Sequence, residues 1–128
     1  MDHVRIEATE RTPEVYFDFN GHYFSLRGEA YPEDTNAFFG PLMNQLEDYF
    51  QTLDEATITF EFELIYFNSS TAKVLMMLFE LLDATAARNN AVKVHWIYEA
   101  DDDNMEVLGE EYGEDLEHVD FSLVPKEA

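Results

Sequence analysis

A cluster of three adjacent hydroxyls is the part of the chain whose residue types are best suited to chemistry. Asn68 is followed by Ser69, Ser70 and Thr71, at the point where an apolar segment ends and an amphipathic one begins. If the first segment is a strand, the hydroxyls lie at its carboxyl end, where open α/β sheets tend to bind ligands. If the second is a helix, they also lie at its N-terminus, whose free N–H groups and partial positive charge favour an added phosphate.

The charge pattern around the cluster is consistent with a phosphorylation site. No Asp or Glu occurs from Leu64 to Phe79, although the chain contains 28 acidic residues, and Lys73 stands in the first turn, where an acid is usual. A phosphate, with a charge of about −1.5 to −2, would therefore meet no neighbouring acid along this stretch. Ser, Thr and Asn are also ordinary helix caps, so the pattern alone leaves open a functional hydroxyl or a plain structural cap.

The hydrophobic pattern of the rest of the chain predicts the elements that position the cluster. Strands are expected at residues 15–19, 22–26, 57–67, 92–98 and 118–124, and helices at 38–53, 72–88 and within 99–113. Asn20-Gly21 predicts a hairpin, and residues 57–98 predict a βαβ unit with parallel strands and a right-handed crossover. The order β-β-α-β-α-β-α-β indicates a single α/β domain over residues 1–128, a small mixed sheet packed with helices. Residues 1–12 are expected to form a loose N-terminal arm, and strand 57–67 to become buried at its end.

Length, composition and charge exclude several classes of protein. The chain has 128 residues, 46% of them hydrophobic, which suits one domain with a real core. Seven basic and 28 acidic residues give a formal net charge of −21, which argues against nucleic acid and anionic membranes as partners. The N-terminus does not look like a signal peptide, and the longest apolar run, Val74 to Phe79, is too short to span a membrane. With no cysteine and no glycine-rich nucleotide loop, we expect a cytoplasmic protein without a cofactor.

A run of acidic residues near the C-terminus is the second unusual feature. Eleven acids and no Lys or Arg lie between Glu99 and Asp120. Their spacing does not fit a calcium-binding loop, because the required Gly and the distal Glu are out of register. A solvated acidic helix or a docking face for a basic partner is expected here. The four histidines form no metal-ligand motif, so no metal site is predicted.

Four stretches of the chain together resemble the SiaC family of bacterial regulatory phosphoproteins, which are relatives of the STAS or anti-anti-sigma domains. They are Thr12-Pro13-Glu14-Val15-Tyr16-Phe17-Asp18; Tyr31-Pro32-Glu33-Asp34 with Phe39-Gly40-Pro41-Leu42 and Leu46-Glu47-Asp48-Tyr49; Tyr66-Phe67-Asn68-Ser69-Ser70-Thr71; and His95-Trp96-Ile97-Tyr98, which an acidic segment follows. The similarity runs from residue 10 to residue 124. No single stretch is specific, but the combination is.

This resemblance implies a STAS-like fold, a modified residue and a set of partners. In the family the hydroxyl directly after the Asn carries phosphate, and this position corresponds to Ser69, with Ser70 and then Thr71 as alternatives. A dedicated Ser/Thr kinase adds the phosphate and a PP2C-type phosphatase removes it. The unphosphorylated form binds and activates a diguanylate cyclase, which promotes c-di-GMP signalling, aggregation and biofilm formation.

We therefore expect a non-enzymatic phospho-switch whose partners are a cyclase, a kinase and a phosphatase. Its contact surface is expected to include Asn68, Ser69, Ser70, Thr71 and Lys73. Two other functions stay open at this point. An anti-anti-sigma factor would bind an anti-sigma kinase in place of the cyclase. A small acidic enzyme, acting through carboxylates and Mg²⁺, would show a deep pocket with converging Asp or Glu side chains.

Overall fold

The computed structural model of the protein describes residues 3–127, which form one mixed sheet and the helices packed on it. The strands are β1 (His3–Ile6), β2 (Glu14–Asp18), β3 (Tyr23–Ala30), β4 (Thr57–Phe67), β5 (Ala91–Glu99) and β6 (Asp120–Lys126). The helices are α1 (Thr35–Phe50), α2 (Ser69–Ala87) and α3 (Asp103–Glu114). None of the helices within residues 3–127 is both long and apolar enough to cross a membrane.

The strands lie in the sheet in the order in which they occur in the chain, β1-β2-β3-β4-β5-β6. The first three are antiparallel, and β3 to β6 are parallel to one another. The predicted α/β class, the hairpin and the βαβ unit are thus confirmed, although the loop between β2 and β3 has four residues, Phe19 to His22. Each parallel pair is joined through a helix, and successive right-handed crossovers place α1, α2 and α3 on the same face of the sheet.

The N-terminal segment differs from the expectation of a loose arm over residues 1–12. Residues 3–6 form β1, which pairs with β2 so that Val4 lies opposite Phe17 and Ile6 opposite Val15. Polar and apolar side chains alternate in this segment, so that Val4 and Ile6 pack against the core while the other two face outward. Residues 1–2 lie outside the described part of the chain, and residues 7–12 contain neither helix nor strand.

The core lies between the sheet and its three helices and is rich in aromatic rings. Phe60 on β4 stacks on Phe24 of β3 and on Phe62, with ring centroids 5.7 and 4.6 Å apart. Trp96 on β5 is 1% exposed and lies 6.2 Å from Phe79 of α2. These contacts fix α2, and with it the hydroxyl cluster, against the centre of the sheet.

The opposite face of the sheet is open and carries a network of polar side chains, which we call the open-face network. Glu61 accepts hydrogen bonds from Tyr23 at 2.6 Å, from Arg27 at 2.7 Å and from His95 at 3.0 Å. Arg27 also donates to Glu63 at 2.6 Å. The network links β3, β4 and β5 through side chains in addition to the backbone ladder, which stabilises the centre of the sheet.

Candidate functional site

The hydroxyl cluster lies where β4 ends and α2 begins, at the edge of the sheet formed by the carboxyl ends of the parallel strands. Asn68 is the N-cap: its backbone is extended, and its side-chain oxygen accepts the N–H of Thr71 at 3.0 Å. Its carbonyl accepts the N–H of Ala72 at 2.9 Å. Ser69 is therefore the first helical residue, and the local sequence folds this way because an Asn in this position satisfies an N–H group that has no partner within the helix.

Exposure separates the three hydroxyls of the cluster. Ser69 and Ser70 are exposed to solvent, whereas Thr71 is completely buried. Because the third helical residue turns toward the sheet, the Thr71 hydroxyl is enclosed, and it has no hydrogen-bond partner among the described residues. An enclosed side chain meets neither a partner nor a modifying enzyme, so the structure corrects the expectation that Thr71 is an acceptor or a contact residue.

The end of β4 is exposed, contrary to the prediction that this strand becomes buried there. Gly28 of β3 lies opposite Leu64 and Glu29 opposite Tyr66, so that Ile65 is an extra residue in β4. This β-bulge turns the following side chains out of the regular alternation. Ile65 is 64% and Tyr66 is 53% exposed. Two large apolar side chains therefore face solvent a few residues before the exposed serines.

The exposed first turns of α2 continue this surface. Lys73 follows Ser69 by four residues, so both lie on the same face of the helix. Lys73 is exposed and forms no ion pair among the described residues. We call the exposed side chains of this region the switch surface; they are Ile65, Tyr66, Ser69, Ser70 and Lys73. The switch surface contains no acid, which is unusual in a chain with a net charge of −21. It includes the large apolar side chains Ile65 and Tyr66, and exposed apolar groups of this kind are typical of protein contact sites.

The position of α2 depends on α3, which packs across β5 and β6. The hydroxyl of Tyr112 on α3 donates to the carbonyl of Ala72, in the first turn of α2, at 3.2 Å. Burial, together with the nearby charge of Glu111, raises the pKa of Tyr112, which favours the protonated hydroxyl that this hydrogen bond requires. Trp96 in turn donates its indole N–H to the carbonyl of Met105 on α3 at 3.0 Å. A chain of contacts thus runs from the core through α3 to the hydroxyl cluster.

Two glycines of α3 permit this close packing, and they were not recognised from the sequence. A Cβ atom at Gly109 would lie 2.4 Å from Trp96, and one at Gly113 would lie 2.7 Å from Phe121. The two glycines are four residues apart and so lie on one face of the helix. In the sequence these two positions are marked only by their spacing of four residues within the acidic segment.

The chain matches one protein-family model over nearly its whole length. The model described as the SiaC family regulatory phosphoprotein matches residues 6–126. The chain belongs to the SiaC family. The resemblance inferred from the four sequence stretches is confirmed, and the hydroxyl cluster lies within the matched range.

Solved structures of SiaC proteins share the fold. The crystal structure of apo-SiaC from Pseudomonas aeruginosa is 27% identical, with a TM-score of 0.85 over 97% of this chain and 99% of that one. A similar chain occurs in the crystal structure of the diguanylate cyclase SiaD in complex with its activator SiaC, from the same organism; it is 25% identical, with a TM-score of 0.88 over 96% and 99% of the two chains. A curated but uncharacterized protein of Pseudomonas aeruginosa strain UCBPP-PA14 is 26% identical over 115 residues, 90% of each chain.

The acidic segment of this SiaC-family protein has a largely structural organisation. Asp102 caps α3 by accepting the N–H of Met105 at 3.0 Å, and Asp103 and Glu106 lie in the first turn, where negative charge complements the helix dipole. Within residues 3–127, no three His, Asp or Glu side chains are grouped closely enough to hold a metal ion. Asp102, Asp103 and Glu106 therefore stabilise α3 itself.

Proposed function

We propose that this protein is a non-enzymatic phosphorylation switch in which Ser69 is the acceptor and the unphosphorylated form binds and activates a diguanylate cyclase. The observation that carries the proposal is the exposure of Ser69 at the first position of α2, within the acid-free and partly apolar switch surface. Ser70 is the second candidate, because it is exposed one residue further on. Asn68 and Lys73 complete the proposed contact surface.

The folded protein can accommodate a phosphate on Ser69 without strain. The group would lie at the N-terminus of a helix of 19 residues, where a negative charge is stabilised by about 0.3–1 kcal/mol. Lys73 lies on the same helix face at a spacing of four residues, the arrangement in which opposite charges attract. The phosphorylated chain is therefore expected to keep its fold, so that the modification acts on binding and not on stability.

Phosphorylation would oppose docking through local desolvation and bulk. The neutral hydroxyl lies next to the exposed apolar side chains Ile65 and Tyr66, which a partner covers when it binds. A doubly charged phosphate in the same place loses its hydration on docking and finds no Arg cluster in the switch surface to compensate. Complete reversal of the bound and free populations needs about 5.5 kcal/mol of differential affinity. Lys73 and the N-terminus of α2 offset part of the phosphate charge, and the cost of desolvating the rest opposes docking.

The choice of partner is supported by the relatives. One similar chain was crystallised with the diguanylate cyclase SiaD, whose activator is SiaC. We extend this role to the present chain, and we infer a Ser/Thr kinase and a PP2C-type phosphatase as the enzymes that add and remove the phosphate. Because the kinase requires ATP and the cyclase GTP, the cytoplasm is the compartment in which the switch operates.

Mass spectrometry of the modified chain tests the assignment of Ser69. The full-length protein and its Ser69→Ala and Ser70→Ala variants are incubated with ATP and the kinase from the native host, and phosphopeptides are quantified. Loss of the label in Ser69→Ala and its retention in Ser70→Ala is the expected result. Full labelling of Ser69→Ala would overturn the assignment, and recovery of an anti-sigma kinase in place of a cyclase from host extracts would overturn the proposed effector.

A further inference from the structure

We propose that a groove beside the second half of α2 binds a basic amphipathic helix of a partner protein, at a surface separate from the switch surface. The groove has a volume of about 450 Å³. Helix α2 forms one wall, and the turn after α3, residues 115–118, forms the other. We call this feature the acidic groove. The proposal does not depend on the modification of Ser69.

A partly exposed carboxylate anchor holds the two walls in place. The Asp83 carboxylate on α2 accepts three backbone N–H groups from the turn and the residue that follows: Glu117 at 3.2 Å, His118 at 2.8 Å and Val119 at 3.2 Å. Hydrogen bonds to an ionised acceptor are the stronger kind. The groove is therefore formed before any ligand arrives, and little conformational entropy is lost when it is filled.

The inner surface of the acidic groove is apolar. Its lining includes Phe79, Tyr112, Leu116 and Met76, of which Met76 is 56% exposed although it is large and hydrophobic. Methionine adapts its shape to different apolar partners and is common in grooves that receive helices. Met76 thus extends a mostly covered apolar floor into solvent, which favours a ligand with an apolar face of its own.

The shape of α2 along the groove suits a helix. Met76, Glu80, Ala84 and Ala87 follow one another at spacings of three and four residues and form one stripe on α2. The stripe is about 16 Å long at 1.5 Å per residue, the length of three helical turns. Ala84 and Ala87 carry only methyl groups, so the backbone of a second helix can approach α2 closely there.

The charge around the groove decides which helix fits. Glu80, Asp115 and Glu117 line the groove together with Asp83, and none of them forms an ion pair among the described residues. The eleven acids between Glu99 and Asp120 add to this field without a single basic residue. Lys and Arg on the flanks of an apolar stripe complement it and are steered toward it. A second copy of this chain, also at −21, would be repelled.

The acidic groove and the switch surface lie on one helix but do not coincide. Met76 is seven residues after Ser69, about 10 Å along the helix axis. The two surfaces share no residue, so a short helix centred on Ala84, 15 residues after Ser69, leaves Ser69 accessible. Such a site can hold a protein on this chain in both the phosphorylated and the unphosphorylated state.

A titration with a defined peptide tests the proposal. The probe is a synthetic 15-residue helix of Leu and Lys with Leu at every third and fourth position, and it is added to the ¹⁵N-labelled full-length protein. The controls are a peptide of the same composition in scrambled order and a Leu–Glu peptide with the original pattern. We expect saturable 1:1 binding with amide shifts confined to the second half of α2 and residues 115–118, and at least tenfold weaker binding of both controls. Shifts scattered over the acidic surface, or equal affinity for the scrambled peptide, would overturn the proposal.

Three variants locate the binding site on the protein. Ala84→Trp fills the groove from an exposed position, and Glu117→Lys reverses one charge of its rim. Each variant is expected to bind the Leu–Lys peptide at least tenfold more weakly than the wild type. Ala37→Trp adds the same bulk at an exposed position of α1 and is expected to leave binding unchanged. Unaltered affinity in both groove variants would refute the proposal. Ser69→Asp is expected to bind as the wild type does, and a loss there would refute the independence of the two surfaces without bearing on which hydroxyl is phosphorylated.

Discussion

The packing of α3 on the sheet depends on the absence of a side chain at Gly109, and Gly109→Ala tests this dependence. The added Cβ would lie 2.4 and 2.6 Å from two atoms of the Trp96 indole and 2.7 Å from a methyl group of Leu123. Non-bonded carbon atoms keep about 3.5 Å apart. Trp96 is 1% exposed and hydrogen-bonded to Met105, so it cannot move aside. Helix α3 must therefore shift outward by about 1 Å.

The cost of this shift can be estimated from its components. Overpacking of a core costs about 1–3 kcal/mol, and the strained hydrogen bond between Trp96 and Met105 adds about 1 kcal/mol. Alanine recovers about 1 kcal/mol because it favours the helix over glycine. We expect Gly109→Ala to lower the free energy of unfolding by about 1–3 kcal/mol. For a domain of this size the melting temperature falls by about 4 °C for each kcal/mol.

The matched control is Gly40→Ala in α1, where an added Cβ meets nothing within 4 Å. Because a Cβ before Pro41 disfavours the helical backbone, it offsets the helix preference of alanine, and the free energy of unfolding of this variant should stay within about 1 kcal/mol of the wild type. Urea denaturation followed by circular dichroism measures the free energy of unfolding of both variants. Hydrogen exchange should also become faster in the first turn of α2, because a shifted α3 weakens the bond from Tyr112 to Ala72. Equal stability of the two variants would refute the packing argument.

Two further predictions concern the interior of the site and the open-face network. Thr71→Val removes a buried hydroxyl that has no partner among the described residues. We expect the free energy of unfolding to stay equal or rise by about 1 kcal/mol, and the kinase to label Ser69 as in the wild type. A marked fall in the free energy of unfolding, measured by urea denaturation, would contradict this. Glu61→Gln tests how the free energy of unfolding depends on pH. Burial raises the pKa of Glu61, but hydrogen bonds from its three partners in the open-face network outweigh this effect and lower the pKa below the usual 4.5. A carboxyl whose pKa is lowered in the folded protein stabilises the fold at pH values above its usual pKa, and this stabilisation is lost as the pH falls through the pKa of the folded protein. The difference in the free energy of unfolding between wild type and Glu61→Gln should therefore shrink below pH 4.5. A difference that stays constant down to pH 3 would show that ionised Glu61 does not stabilise the sheet.

Much of the fold was predictable, because local sequence signals and global topology agree in it. The alternation in residues 57–67 and 92–98 and the helical spacing between them specified the parallel βαβ unit. The same pattern placed the hydroxyl cluster just before a helix expected from residue 72, and the helix begins three residues earlier, at Ser69, because Asn68 caps it. These predictions depended on short-range periodicity, which the tertiary structure left undisturbed.

The remaining features depend on contacts that a single segment does not reveal. Strand β1 forms because it pairs with the edge of β2. Its four residues are too short for their alternation alone to predict a strand. The bulge at Ile65 follows from the register with β3 and not from the β4 sequence itself. The burial of Thr71 depends on where the first turn of α2 meets the sheet. The need for Gly109 depends on Trp96, thirteen residues earlier in the chain.

The affinity of the phosphorylated and unmodified chains for the diguanylate cyclase of the native host tests the central claim most directly. Phosphoserine is incorporated at position 69 of the full-length protein, and binding is measured by isothermal titration calorimetry beside the unmodified chain. The account predicts that the unmodified chain binds and raises cyclase activity, while phosphorylated Ser69 weakens binding at least 100-fold, about 2.7 kcal/mol. Equal dissociation constants for the two forms would contradict it.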